Sequence, residues 1–581
     1  MARRRPKVEE FTDWTGGLNY IGDAFTLAPN EVIDCLNVTL LPRGGFQRRK
    51  TACFTNAEPF AEARNMWAYY GSTDPQVMVQ DGSDLRFSSD SGATFGVALS
   101  GGASIGGMMR AATAARNNVD GTGISAEDLG RERCYVQRNG EATAVRWDGD
   151  TLTVLADAHD NYNSNYAAPN GGNMPKARFI CSHSGFTFHA YTHEGGVAHT
   201  TRIRWSHPNE PEDYAEKDWW DVGGDGEPIT GMVSFNANLY VFKRKSVWVL
   251  SGYDNDTFQL ARLSDAAGAV SQEAIVTSPQ ALFFFDPHDG VFAIAPDGSL
   301  RWLWSNLAVM INDGRVNAAQ IGRTTCGWMD QRLWVSVPWR DDDVNTRVFV
   351  FDPLLGQGGG WYQYAYGNYT DADPFKNASV TFGLGAMNEF RPIDGQIHYL
   401  AVGSGGHHLF RVECDDDLYD KVGPDDNRAF SSALQTAWYR VGLAGAQKRF
   451  RRPRFVLDAQ SSATVNTTVF RNYETSFQPR HMSLSVKTSA NGIVWGQANW
   501  GEGDWSGDES RDQVVVRGRA LGAAYAVSFL FSGERETVWD GDGSLWGLAT
   551  WGDAEWSASY DGVPPWGLNA IDLIYLPKAV R

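Results

Sequence analysis

His183, His189 and His193 fall within one short segment, where they could in principle ligate a metal or carry protons. On an unbroken strand from Phe186, the side chains of Phe186, Phe188 and Ala190 face the core, and His189, Tyr191 and His193 face the other way. Zinc needs ligands converging from a defined geometry, usually with cysteine or carboxylate partners, and no such spacing is present. The three therefore read as histidines on a polar strand face. Asp540-Gly541-Asp542-Gly543-Ser544 opens like a calcium loop, but an EF-hand needs glycine at its sixth position and glutamate at its twelfth. Those places hold Leu545 and Trp551, so a hairpin turn is the better reading. Asp341-Asp342-Asp343 reads as a solvated loop between strands. The chain has no G-x-x-x-x-G-K-[ST], G-x-S-x-G or H-E-x-x-H segment. An acid pair meeting across a propeller face for glycoside cleavage leaves no linear signature. The expectation is a protein without catalytic residues, metal or cofactor.

The elements that must carry these residues are strands. Two stretches near the C-terminus repeat at a fixed offset: Trp495-Gly496-Gln497-Ala498-Asn499-Trp500-Gly501 with Trp505-Ser506, and Trp546-Gly547-Leu548-Ala549-Thr550-Trp551-Gly552 with Trp556-Ser557. Tryptophan spaced by five, with glycine between, cannot line a helix face and fits short aromatic hairpins. These six tryptophans are candidates for an interface, for stacking on sugars, or for hairpins that only stabilise their own domain.

Between residues 60 and 412, strand-like runs such as Met66–Tyr70, Val77–Gln80, Leu239–Phe242, Val247–Leu250 and Val348–Phe351 alternate with turn residues. Grouped by the longer gaps they give roughly six or seven units, as in a propeller of four-stranded blades. Ser88-Ser89-Asp90-Ser91-Gly92-Ala93-Thr94-Phe95 matches S-x-D-x-G-x-T-W/F, the Asp box of bacterial neuraminidase propellers. There Asp90 binds the turn backbone, Gly92 takes positive φ and Thr94 completes a structural hairpin. An acidic stretch at 413–430 reads as a linker, and strand runs across 431–581 as a β-sandwich with the tryptophan repeats inserted. The expected fold is all-β: an irregular propeller of six or seven blades at 60–412, preceded by an N-terminal arm at 1–59, with the sandwich after the linker.

Composition narrows the function. The 581 residues carry a formal charge of −18, with 22 Trp and 62 Gly. Phosphate backbones are gripped by clustered Lys and Arg, so an acidic chain lets DNA pass rather than holding it. The exception is the basic start, Arg3-Arg4-Arg5 with Lys7, which reads as a solvated tail. No apolar run suggests a secretion signal or a membrane span. The scattered cysteines Cys35, Cys53, Cys134, Cys181, Cys326 and Cys414 read as reduced thiols of a protein made in the cytosol.

The most specific text is N-terminal. Phe11, Trp14, Gly16-Gly17-Leu18-Asn19, Leu27, Pro29-Asn30-Glu31, Asn37-Val38 and Gly44-Gly45-Phe46-Gln47-Arg48-Arg49 follow in an order that resembles the opening of tail nozzle (tail tubular, or stabilisation) proteins of short-tailed bacteriophages. Arg202–Ser206 with Pro208, Glu210-Pro211 and Tyr214, and Phe242–Gly252, resemble phage tail propellers as well. Gly-Phe-Gln-Arg-Arg departs from the Arg-Pro of the best-known members, and the tryptophan repeats are not part of the resemblance.

The resemblance implies a virion tail protein assembled in the host cytoplasm. It would form a hexameric ring below the portal and adaptor rings and offer attachment to fibres or a needle. DNA would pass its lumen without specific binding, and the chain would not insert into a membrane. On that reading Gly16, Gly17, Asn37, Arg48 and Arg49 belong to a segment that closes the propeller or docks on the ring above, and the tryptophans anchor interfaces. The competing readings are a neuraminidase-like glycoside hydrolase, which needs an arginine cluster and a Tyr–Glu pair, and a carbohydrate- or receptor-binding tail component.

Overall fold

The computed structural model describes residues 6–577 except 24, 57, 72–73, 103–106, 116–129, 164–170, 367–381, 394, 405–407, 415–419, 424–425, 429, 444–445, 460–462, 476–478, 487–511, 534–535, 540–558 and 563–565. Nearly all regular structure is strand, and the chain divides into two compact units. One comprises Phe54–Val348 and Phe382–Val412; the other comprises Met1–Cys53, Phe349–Thr381 and Glu413–Arg581.

The first unit is a β-propeller. Five successive four-stranded antiparallel sheets begin with Ala63–Tyr69, Met109–Ala115, Lys176–His183, Ile229–Phe235 and Ile275–Thr277. Two further sheets begin with Thr325–Met329 and Gly383–Phe390, which makes seven blades. Each first strand lies beside the first strand of the next sheet, and the seventh lies beside the first, so the ring is closed. Blade-to-blade cores explain the strand composition. Met66, Val77 and Val79 of the first sheet pack with Phe390, Leu400 and Val402 of the seventh. Phe188 and Ile203 of the third pack with Met232, Leu239 and Val241 of the fourth. Because a blade is covered on both faces, its middle strands are apolar without strict alternation, as in Gln76–Asp81 and Leu282–Asp286, where every residue is buried.

Polar side chains fix the spacing between blades. Gln80, on the second strand of the first sheet, accepts from Met109 N (2.8 Å) and donates to Gly107 O (2.7 Å). Gln137, at the matching place in the second sheet, accepts from Ala177 N (3.1 Å) and donates to Pro175 O (2.9 Å). Each amide thus pins the start of the next first strand by satisfying two backbone groups that would otherwise be buried without partners. The ring is latched at its seam by Thr55 N donating to Leu409 O (2.8 Å) and by Leu409 N donating to Asn56 Oδ1 (2.7 Å).

The second unit is a β-sandwich. Its six-stranded sheet runs Gly17–Leu18, Glu31–Leu36, Ala433–Thr436, Val527–Gly533, Ala463–Arg471 and Arg480–Val486. The facing eight-stranded sheet contains Lys7–Phe11, Val38–Leu40, Phe46–Arg48, Lys448–Phe450, Arg454–Ala459, Asp512–Arg517, Gly522–Ala524 and Trp566–Pro577. Phe46 and Phe455 of the larger sheet meet Phe531 at 5.9 and 5.7 Å between ring centroids, which defines the sandwich core. Each fully buried phenylalanine contributes about 2–3 kcal/mol of transfer free energy.

The domain division read from the sequence changes at several boundaries: Phe349–Thr381, expected within the propeller at 60–412, and the stretch from Glu413, expected to begin as a linker, group with the sandwich unit. Residues 1–53 form no separate arm, because Lys7–Phe11 pairs with Trp566–Pro577 and Glu31–Leu36 pairs with Ala433–Thr436. Their partners lie hundreds of residues away, which no local pattern encodes. Of the 1–59 segment, Thr55 and Asn56 latch the propeller, while Gly16–Arg49 lies within the sandwich. The acidic 413–430 stretch contains an antiparallel pair, Asp420–Gly423 with Asp426–Arg428; Asp415, Asp416 and Asp417 lie outside the described residues.

Candidate functional site at the propeller axis

The N-terminal ends of the first strands of the first, second and sixth sheets come together around one opening. A cavity of about 400 Å³ opens there, within the size range of small-molecule sites. Glu62, Arg64 and Arg110 line it from the first and second sheets, Ser271 and Glu273 from the approach to the fifth, and Arg323 and Asn345 from the sixth. Arg64 and Arg110 each stand second in their strand (Ala63-Arg64, Met109-Arg110), with Arg178 third in the next (Lys176-Ala177-Arg178). That repeated placement is the signal that aligning the strands by their apolar pattern would have exposed. The sequence reading did not identify any of these residues.

The arginines differ in how far they are already engaged. Arg110 is clamped: Nε and Nη2 bind the two Glu273 oxygens at 2.9 and 3.2 Å, Nη1 reaches Arg178 O, and the guanidinium lies 4.7 Å from the Phe179 ring centre. Arg64 gives one Nη2 bond to Glu62 (2.8 Å), a carboxylate that is itself 57% exposed, and its buried Nε has no partner among the described residues. Arg323 is exposed, donates Nε to Gln320 Oε1 (3.2 Å) and makes no ion pair among the described residues. Asn345 is 1% exposed; its Nδ2 donates to Arg323 O (2.7 Å), and its Oδ1 has no partner among the described residues. Ser271 Oγ is also buried without one. No tyrosine lines the cavity among the described residues, so the Tyr–Glu pair of a neuraminidase-like site has no counterpart there.

The histidines do not form a polar face. The strand Phe186–Glu194 is bulged at Tyr191 (φ 57°), which breaks the alternation, and the blade is covered on both sides. His189 is fully buried. Gln137 Nε2 lies 3.0 Å from His189 Nδ1, and His189 Nε2 lies 2.7 Å from the Tyr214 hydroxyl, which donates to Pro211 O. With the amide donating to Nδ1, the ring carries its proton on Nε2 and is neutral. Burial, with a further contribution from Arg204, lowers its pKa to about 3. His183 Nδ1 meets Ser234 Oγ (2.8 Å), and burial lowers its pKa too. No group of three or more metal-ligating side chains occurs among the described residues.

The Asp-box turn is built from side chains. Asp90 accepts from Thr94 N (2.9 Å), Thr94 Oγ1 (2.5 Å) and Ser88 Oγ (2.7 Å), while Gly92 takes φ 94°. These hydrogen bonds hold the Asp90 carboxyl below the usual range against the opposing effect of burial. Asp342 accepts from Thr346 Oγ1 in the loop between Arg332–Pro338 and Asn345–Asp352.

The N-terminal residues expected at an interface turn out to be internal to the sandwich unit. Asn37 (φ 54°) donates to Ser431 O (2.6 Å) and accepts from Arg49 Nε (3.0 Å) and Ala365 N (2.8 Å). Arg49 is wholly buried against Asp420, with Phe430 and Tyr366 at 3.8 and 4.3 Å from its guanidinium. Arg48 is 2% exposed. A side chain at Gly17 (φ 73°) would meet Trp361 N at 2.7 Å, and one at Gly16 would meet Asn30 O at 2.8 Å. These positions are occupied by contacts within the chain and leave little side-chain surface for a neighbour. Trp495, Trp500, Trp505, Trp546, Trp551, Trp556 and the Asp540–Ser544 turn lie outside the described residues. The second repeat is bracketed by an antiparallel pair, Glu536–Trp539 with Ser559–Gly562.

Fold and cavity together define a β-propeller protein with an attached β-sandwich. No protein-family model matches the sequence, and no curated protein does. Among solved structures the chain is similar to BBS1N in complex with ARL6DN, at 11% identity and TM-score 0.36, covering 63% of this chain and 98% of that one. It is also similar to YCF48 from Cyanidioschyzon merolae, at 8% identity and TM-score 0.35, covering 62% and 98%. A third is PorZ of Porphyromonas gingivalis, at 10% identity and TM-score 0.30, covering 68% and 44%. Likenesses of this size carry no functional argument, and the propeller assignment stands on the closed ring of first strands described above.

Proposed function

We propose that this chain is a structural subunit of a bacteriophage tail: a nozzle protein that assembles into a hexameric ring, conducts DNA without binding it specifically and provides attachment for fibres. The observation that carries the reading is the ordered N-terminal set from Phe11 through Gly16-Gly17 and Asn37 to Arg48-Arg49. Within the sandwich, Asn37 and Arg49 form a buried hydrogen-bonded hub and Gly16 and Gly17 sit at close backbone approaches. The formal charge of −18 supports a lumen that repels phosphates. A cyclic ring needs head-to-tail contacts between unlike surfaces. The tryptophan repeats, together rich in large apolar area, are the proposed anchors of those contacts.

Electron microscopy tests this directly. The purified protein is expected to form rings, and antibody-gold against it is expected to decorate the tail of intact particles. A protein that stays monomeric and is missing from particles rejects the proposal.

A further inference from the structure

We infer that the axial cavity of the propeller binds a small hydroxylated oxyanion, of the size and chemistry of a sugar acid or sugar phosphate, with Arg64 and Arg323 as its anion-binding side chains. In a chain of formal charge −18, this cavity reverses the local sign, with three guanidinium groups set against two carboxylates. The Arg110–Glu273 pair is internally satisfied by two parallel hydrogen bonds and serves as a rigid wall. Arg64 and Arg323 are different. Among the described residues, Arg64 keeps a buried Nε without a partner and binds the exposed Glu62 alone, while Arg323 pairs with no carboxylate. A guanidinium presents its donors as a planar fork that matches carboxylate and phosphate oxygens, which makes these two the recognition groups.

The second requirement comes from Asn345. Its amide is held by the Nδ2 bond to Arg323 O, which leaves Oδ1 as a buried acceptor. The P–OH of inorganic phosphate can donate only from the anion itself, whereas a ligand hydroxyl set apart from the anionic group reaches that oxygen while the anion stays on the guanidinium groups, and removes the cost of an unmet acceptor. Ser271 Oγ, buried and unpartnered, can meet a second hydroxyl. The 400 Å³ volume takes a monosaccharide derivative with some water and excludes a polymer chain from full enclosure. Because the residues belong to the propeller alone, the inference does not depend on ring assembly or on a phage origin.

The test is calorimetric titration of the full chain with D-glucuronate, glucose 6-phosphate, glucose and inorganic phosphate. The first two separate a carboxylate ligand from a phosphate one. At least one of them is expected to bind about tenfold tighter than both glucose and inorganic phosphate. Arg323→Ala and Arg64→Lys are each expected to weaken it by about tenfold, with the unfolding midpoint unchanged. Arg323 is exposed, so its replacement leaves the fold intact even if the Arg64 variant is disturbed. Three results overturn the inference. One is no binding of either acid at about 10 mM. Another is inorganic phosphate binding as tightly as the sugar phosphate, which leaves an ion site only. The third is affinity untouched in Arg323→Ala.

Discussion

Arg49 and Asp420, 371 residues apart, form a two-pronged ion pair with N–O distances of 2.9 and 2.5 Å, and neither side chain has any exposed surface. Burial disfavours the guanidinium charge, and the carboxylate more than offsets this, so its pKa lies above the ordinary value. Asp420 Oδ1 also accepts from Ala52 N, which leaves no oxygen of the pair idle. Removing one partner strands the other. Asp420→Asn is expected to cost about 3–5 kcal/mol, and Arg49→Met with Asp420→Asn together less than the sum of the two single changes. Urea unfolding of the three variants measures this, and additive losses contradict a coupled buried pair.

Asn37 links four segments of the sandwich from a left-handed backbone position. Asn37→Ala loses three side-chain hydrogen bonds and keeps a β-carbon at φ 54°, whereas Asn37→Gly loses the same bonds but relieves that backbone strain. Both variants are expected to be less stable by about 2–4 kcal/mol, with alanine the worse by about 1 kcal/mol. Equal midpoints for the two would show that the backbone conformation costs nothing there.

His189 makes stability fall in mild acid. Its folded pKa, about 3, lies below that of the unfolded chain, near 6.5, so between these values the unfolded state binds a proton that the native state refuses. The penalty grows as pH falls through that window and is absent above it. Between pH 7 and pH 5 the histidine is expected to account for about 2 kcal/mol of lost stability. His189→Gln, which cannot titrate, should flatten the profile by that amount. An unchanged slope would refute the neutral, buried assignment.

Gln80 is expected to control local order at the start of the second blade. Gln80→Leu leaves Met109 N and Gly107 O without their amide partner, at a cost of about 2–4 kcal/mol. Hydrogen exchange should accelerate in the peptide containing Met109–Ala115 and stay constant across Leu282–Asp286. Uniform acceleration in both would mean that the bridge acts on the whole ring and not locally.

The tryptophan repeats are expected to matter in assembly. Trp500→Ala with Trp551→Ala should abolish ring formation in sizing and microscopy, with little effect on the unfolding midpoint of the propeller. Intact rings would reject the interface role, and a collapse of the fold would assign the repeats to self-packing.

Local pattern was enough to read the architecture. Glycine and aspartate turns between runs such as Val77–Gln80 and Val247–Leu250 mark hairpins, because strand side chains repeat every two residues and tight turns need particular residues. The Asp90-Gly92-Thr94 turn was readable for the same reason: all its hydrogen bonds span at most four residues. The blade repeat also placed Gln80 and Gln137 after the same valine, in Val79-Gln80 and Val136-Gln137, though their shared task shows only when the sheets are side by side.

Sequence alone therefore determined the strand content, the propeller and the acidic character, all of which follow from short-range periodicity and composition. Tertiary structure decided that Asn37 and Arg49 are buried hubs, that His189 is a core residue, and that Arg64, Arg323 and Asn345 share one cavity. Those outcomes depend on ring closure and on pairings such as Lys7–Phe11 with Trp566–Pro577. Contacts across such separations are selected by the energy of the whole packed core, and no window along the chain contains both partners.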